Sequence, residues 1–315
     1  MIRLPTYAGT IEDYQLSGRS LSPHPPQTPF NRIAIAAAHV VTDPLKDIDP
    51  WQGSPAIDWD NTLKFRHYLW DQGLHLAEVM DTAQRGMGLD WKTAKELINR
   101  TMTDAKLHPL KPRVVCGAGT DQYDNKQLNS YDAIIAAYSE QMEAIEAAGG
   151  QIVIMASRAM TSHQRRPDYY ARVYKKLIEQ SKEPVILHWL GEMFDPALTG
   201  YWGSKDLDEA ADSVLEIINS NSEKIDGIKI SILDQEREEK IRARLPEGVK
   251  IYTGDDFNYP ALIEGDGRLF SHALLGIFAA ISPAASQALE ALAKGDNEMF
   301  NKILKPTVPS VGVAR

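Results

Sequence analysis

The sequence predicts an α/β protein folded as a TIM (β/α)8 barrel, and three observations carry that reading. Eight apolar runs of strand length alternate with longer stretches of helical periodicity. The runs are almost continuously apolar, as strands buried on both faces must be. No glycine-rich dinucleotide fingerprint follows the first run, which argues against an open doubly wound sheet. Strands joined through helices pair in parallel, because a parallel connection needs a crossover element. Eight such units in roughly 250 residues is the usual length of a barrel. The chain has 315 residues, 43% hydrophobic and 24% charged, which excludes a disordered chain and suffices for a large core.

Residues 1–30 read as an irregular N-terminal arm, in which Pro23, Pro25, Pro26 and Pro29 interrupt any periodicity. Residues 31–282 are expected to form the barrel, with strands at 33–41, 74–80, 113–117, 151–156, 184–189, 227–231, 249–253 and 269–274. Helices are expected at 130–148, 168–179, 206–219 and 236–245. Gly73, Gly149, Gly150, Pro184 and Gly248 stop such segments before the next strand. Residues 283–315 predict a short C-terminal extension, an alanine-rich helix at 283–294 followed by a tail.

Composition narrows the function. Lys and Arg number 34 against 43 Asp and Glu, a formal charge of -9, so no broad basic surface is expected for nucleic acid or anionic lipid. The single cysteine, Cys116, excludes an intrachain disulfide and a cysteine-clustered metal site. No run approaches about 18 apolar residues, and the first residues lack the apolar segment of a signal peptide. A cytoplasmic protein with a small-molecule partner, and with no nucleic-acid or membrane partner, is the expectation.

In a barrel of this kind the C-terminal strand ends line the site, so polar residues there are the candidates. They are His39 and Asp43 after the first strand, Glu78, Asp81 and Thr82 after the second, and Ser157 and Arg158 after the fourth. The fifth offers His188 and Glu192, the sixth Lys229 and Ser231, the seventh Asp255 and Asp256, the eighth Ser271 and His272. Lys229 stands inside an otherwise apolar strand, Asp226-Gly227-Ile228-Lys229-Ile230-Ser231. Burial disfavours its charged form, the condition for a neutral amine that attacks a carbonyl and forms a Schiff base. The alternative is a lysine that snorkels from the strand end or pairs with Asp255 or Glu78.

Around this lysine the chain resembles the dihydrodipicolinate synthase and N-acetylneuraminate lyase family, over approximately residues 33–282. Gly227-Ile228-Lys229 is similar to that family's Schiff-base strand, and Tyr252-Thr253-Gly254-Asp255-Asp256 to the glycine-aspartate strand that follows it. Asp58-Trp59-Asp60 and the helix ending at Gly73 resemble its first crossover. Residues 114–119 resemble its third strand and residues 183–187 its fifth. The resemblance implies a class I aldolase or lyase on a TIM barrel, an imine on Lys229, no metal and no organic cofactor, and a homo-oligomer, dimer or tetramer.

The departures shape the expected chemistry. The family's Pro-Tyr-Tyr-Asn phrase is replaced by Ala156-Ser157-Arg158-Ala159, and the fifth strand ends in His188-Trp189, so His188 takes the place of a proton-relaying tyrosine. The family's carboxylate-binding Gly-Thr-Thr-Gly-Glu phrase is here Met80-Asp81-Thr82-Ala83-Gln84-Arg85-Gly86. Asp81 repels an anionic group, which points away from pyruvate and toward a neutral, polyhydroxylated carbonyl compound such as a keto sugar. Asp81, Glu78 and Asp256 would accept its hydroxyl hydrogen bonds, and Arg158, Arg165 and Arg166 offer an anion clamp. Two other readings stand beside this one: a metal-dependent isomerase or hydrolase using His39, His188 and His272 with Glu78, Asp81 or Asp255, and a non-catalytic sugar-binding barrel.

Overall fold

Short alternating segments at the N-terminus form a hairpin where an irregular arm was expected. In the computed structural model, which describes residues 2–6, 9–15, 21–46, 56–81, 85, 88–163 and 166–308, β1 (Ile2–Pro5) pairs antiparallel with β2 (Ile11–Tyr14). The hydroxyls of Thr6 and Thr10, 2.7 Å apart, tie the turn together. Residues 21–30 do run without regular structure, and the Glu290 carboxylate accepts the backbone N–H groups of Gln27 and Thr28.

Eight parallel strands then close a barrel in chain order. They are β3 (Ala34–Ala37), β4 (His75–Glu78), β5 (Val114–Ala118), β6 (Gln151–Ile154), β7 (Val185–Leu190), β8 (Ile225–Ser231), β9 (Lys250–Thr253) and β10 (His272–Leu275), the last pairing with the first. Around them lie α1 (Trp59–Trp70), α2 (Trp91–Leu107), α3 (Tyr131–Ala148), α4 (Arg158–His163), α5 (Pro167–Gln180), α6 (Leu207–Ser220), α7 (Gln235–Arg242), α8 (Tyr259–Glu264) and α9 (Ile277–Ala280). Asp58, Ser130, Asp206 and Asp234 each accept a first-turn N–H, the capping that fixes where these helices begin. The chain ends in α10 (Ser282–Ala293) and α11 (Asn297–Leu304), a second helix within the expected tail that buries Phe300 and Leu304. Among the described residues no helix is long and apolar enough to cross a membrane.

The eighth strand lies downstream of its expected position. Leu269 and Phe270 stay outside the sheet: Leu269 closes a turn by accepting the Asp266 N–H, and the Arg32 guanidinium lies 3.5 Å from the Phe270 ring centroid. His272 is therefore the first residue of β10, at the N-terminal end of the barrel, and not at the C-terminal mouth where it was expected.

Strand alternation sorts side chains between two regions. Ile35, Ala77, Val115, Val153, Ile186, Tyr252 and Leu274 share one cluster inside the barrel, while alternate residues pack against the helices. That parity turns Glu78 outward, contrary to its expected place in the site. Its carboxylate accepts Nε and an Nη of Arg66 from α1, both at 3.0 Å, and the Thr101 hydroxyl from α2 at 2.6 Å. Ser271 is likewise structural, donating its hydroxyl to the buried Glu238 carboxyl of α7 at 2.7 Å.

Burial pushes Glu238 from 4.5 up to about 8, against the hydrogen bonds from Ser271 and Thr253 that favour its anion. The unfolded chain ionises this group near 4.5 while the folded chain holds its proton, so stability falls as pH rises between 4.5 and about 8 and levels off above. Thermal unfolding across this range is expected to show Glu238→Gln gaining on the parent protein as pH rises. A constant difference between the two contradicts the assignment.

Candidate active site

Lys229 pairs in register with His188 of β7 on one side and Tyr252 of β9 on the other. Tyr252 and Ile186 belong to the interior cluster, so the pleat aims both Lys229 and His188 into the barrel. Lys229 is 7% exposed and makes no hydrogen bond or ion pair with any described residue. Burial lowers its pKa from the usual lysine range, outweighing the opposing pull of Asp81 and Asp256. Asp81, just beyond β4, is shifted the other way: burial raises it, against the attraction of Lys229 and Arg85. The two groups thus shift toward one another, an amine less basic than usual beside a carboxyl that retains its proton more readily than usual.

His188 is fully buried, with Nε2 3.3 Å from the Ser231 hydroxyl oxygen and Nδ1 without a partner. Burial and the neighbouring Lys229 push its pKa well below 6.5, so its ring is neutral at physiological pH. On the rim, Arg158 donates to Asp195 at 2.6 Å, joining the loops after β6 and β7, and Asp195 is close enough to bear on Asp81.

Space for the lysine comes from Gly254. A methyl group there would overlap the Ser231 hydroxyl and come within 2.8 Å of Lys229 Cε and 3.0 Å of the Ile230 carbonyl. Gly254→Ala is therefore expected to preserve the circular dichroism of the fold while reducing reductive trapping at Lys229 by about tenfold or more, as small misplacements of reacting groups do. Undiminished trapping would show that the amine lies elsewhere.

The loop after β4 also holds an arginine that strand-end reasoning passed over. Arg85 donates to the carbonyls of Val79 and Gly117, to both carboxylate oxygens of Asp121 and to Gln141. All its nitrogens are engaged. The signal was present as a basic residue seven positions beyond β4, but its partner in the next loop was not identifiable from spacing.

The other candidates divide. Ser231 and Asp256 join Lys229, as does Asp81, while Thr82 and Arg165 lie outside the described residues. Asp255 is a buried turn residue accepting the Phe257 and Asn258 N–H groups, not a ligand-facing group. Ser157 shares a 2.6 Å hydrogen bond with Thr120, and Arg166 pairs with Asp168. His39 is exposed, its ring 5.1 Å from Phe65 of α1. His39, His188 and His272 thus occupy the rim, the interior and the opposite end, and among the described residues no three His, Cys, Asp or Glu groups are placed to hold a metal.

The molecule is a TIM barrel with an inward-facing lysine toward the C-terminal end of its sixth barrel strand, without a hydrogen-bond or ion-pair partner among the described residues. Solved structures with this fold include the dihydrodipicolinate synthase of Oceanobacillus iheyensis, 18% identical over 88% of this chain and 79% of that one, with a TM-score of 0.62. The 4-hydroxy-tetrahydrodipicolinate synthase of Methylacidiphilum fumariolicum SolV gives 13% identity over 90% and 81%, TM-score 0.66. The Acinetobacter baumannii dihydrodipicolinate synthase, solved with pyruvate, gives 17% over 86% and 79%, TM-score 0.63. At these identities the likeness is one of fold, and it agrees with the resemblance drawn from the strand sequences. The chain belongs to the family described as "Protein of unknown function (DUF993)", whose profile matches residues 2–312. No curated protein matches it.

Proposed function

We propose that the protein is a class I, Schiff-base lyase or aldolase acting on a neutral, hydroxylated carbonyl compound. The observation that supports this most is the Lys229 amine, buried, without a partner among the described residues and shifted toward its neutral form inside a barrel fold shared with dihydrodipicolinate synthases. The Nζ lone pair attacks the carbonyl carbon, and the oxygen takes up a proton to give a carbinolamine. Asp81, whose raised pKa keeps a proton within reach, protonates the departing hydroxyl so that water leaves and an iminium remains. The iminium draws the electron pair of the bond between its α and β carbons as the β-hydroxyl gives up its proton, giving an enamine and an aldehyde; the reverse sequence joins them. His188 and Ser231 pass the proton between substrate hydroxyl and imidazole, a role suited to a ring that starts neutral.

The substrate class follows from charge. Arg85 is saturated by Asp121, Gln141 and two carbonyls, and Arg158 gives its Nε–H to Asp195, whose carboxylate offsets its charge. Asp81 and Asp256 instead face the amine with carboxyl groups, which suit substrate hydroxyls better than a second anion. Borohydride treatment with dihydroxyacetone is expected to add a covalent mass to the intact protein, and treatment with pyruvate to add little. A pyruvate adduct at least as abundant overturns the substrate class, while an adduct with neither, extended over other keto sugars and keto acids, overturns the imine.

A further inference from the structure

We propose that the N-terminal end of the barrel, the end opposite Lys229, binds a small organic monocarboxylate between His75 and His272. A cavity of about 450 Å3 lies there, walled by Pro26, Pro29 and Phe30 of the N-terminal segment and by Ile33, with the two histidines on its lining. That volume falls in the range of small-molecule pockets. The histidines open β4 and β10, the strands that flank β3, so they stand two strand spacings apart across it, about 10 Å, and by the register are offset by two residues along it.

Backbone geometry fixes the tautomer of each ring. His75 Nδ1 accepts the Arg113 N–H at 3.2 Å and His272 Nδ1 accepts the Ile33 N–H at 2.9 Å. In the neutral ring the proton then sits on Nε2, making each a donor. Neither Nε2 has a hydrogen-bond partner among the described residues, and neither is sealed from solvent. The surrounding charge selects the ligand's sign. Arg113 and Lys250 share the single carboxylate of Asp226, at 2.8 and 3.0 Å, and Arg32 spends its guanidinium on backbone carbonyls. Burial and this positive excess push both histidines down to about 4, which keeps them neutral and disfavours a metal cation. Two N–H donors in a positive field match one carboxylate, and the proline, phenylalanine and isoleucine walls match an apolar body. The site shares no residue with the Lys229 reading and stands whether or not an imine forms.

Benzoate is a suitable probe, with benzyl alcohol as its uncharged counterpart and inorganic phosphate as the anion without an apolar body. Calorimetric titration is expected to show saturable binding of benzoate, and the ring Hε1 resonances of His75 and His272 to shift with it. His75→Asn and His272→Asn keep an oxygen acceptor for the backbone N–H but remove the Nε2 donor, and each should weaken benzoate binding by about tenfold or more. Absence of binding, or of histidine shifts in the unsubstituted protein, overturns the proposal. So does undiminished affinity in both folded variants, or binding of benzyl alcohol or phosphate as tight as that of benzoate.

Discussion

Lys229→Ala is expected to abolish reductive trapping and to lower turnover of any carbonyl substrate by roughly 10³-fold or more, because no other group can form the covalent intermediate. The fold should survive the change. Lys229 occupies an interior position where its charge is disfavoured, so the unfolded chain takes up its proton first as pH falls below 10.5. The amine therefore costs stability at neutral pH, and Lys229→Met, which fills similar volume without a titratable group, should unfold at the same temperature as the parent or higher. Loss of activity with stability kept or gained separates a chemical role from a structural one. A non-catalytic sugar-binding barrel predicts that ligand binding outlives the substitution and that no turnover exists to lose.

The largest loss of stability is expected at the opposite face of β4. Arg66 and Glu78 are fully buried and joined by two hydrogen bonds, with Thr101 completing the carboxylate. Glu78→Ala leaves a guanidinium stranded between barrel and helices, a defect worth about 3–5 kcal/mol. For a chain of this size that corresponds to a Tm lower by about 5–8 °C. Replacing both members, Arg66→Met with Glu78→Leu, removes the stranded charge and should recover most of the loss. Trapping at Lys229, measured in Glu78→Gln below its melting temperature, should be retained. A Glu78→Ala protein that melts within about 2 °C of the parent, yet loses substrate affinity, would return Glu78 to the site.

These two residues show how far the sequence could be read. All eight strands were visible because parallel strands buried on both faces are apolar throughout, and helix starts were visible because Ser130 and Asp206 are capping residues. The same continuous apolarity hides which way a side chain points, since no alternation marks the faces. Glu78 and Asp81 are three residues apart in one loop-end segment, and the backbone decided between them: Val79 adopts φ 52°, which reverses the chain so that Asp81 meets the lysine while Glu78 faces the helices. His272 was misplaced for a related reason, since Leu269 and Phe270 have the composition of a strand but are held outside it by Arg32 and a turn. Gly254 was recognised within the Thr253-Gly254-Asp255 string, although only coordinates explain it, as room for a lysine side chain. Arg85 and Asp121 come from different loops, and no local pattern links them.

The site of the adduct tests the account most directly. Trypsin normally cuts after Lys229, whereas a lysine alkylated by a reduced imine resists cleavage. After treatment with dihydroxyacetone and borohydride, digestion should yield an uncut peptide running from Ile225 to Arg237 that carries the added mass, with fragmentation locating it on Lys229. An adduct confined to surface lysines, with the peptide cut after Lys229 as usual, would contradict the account.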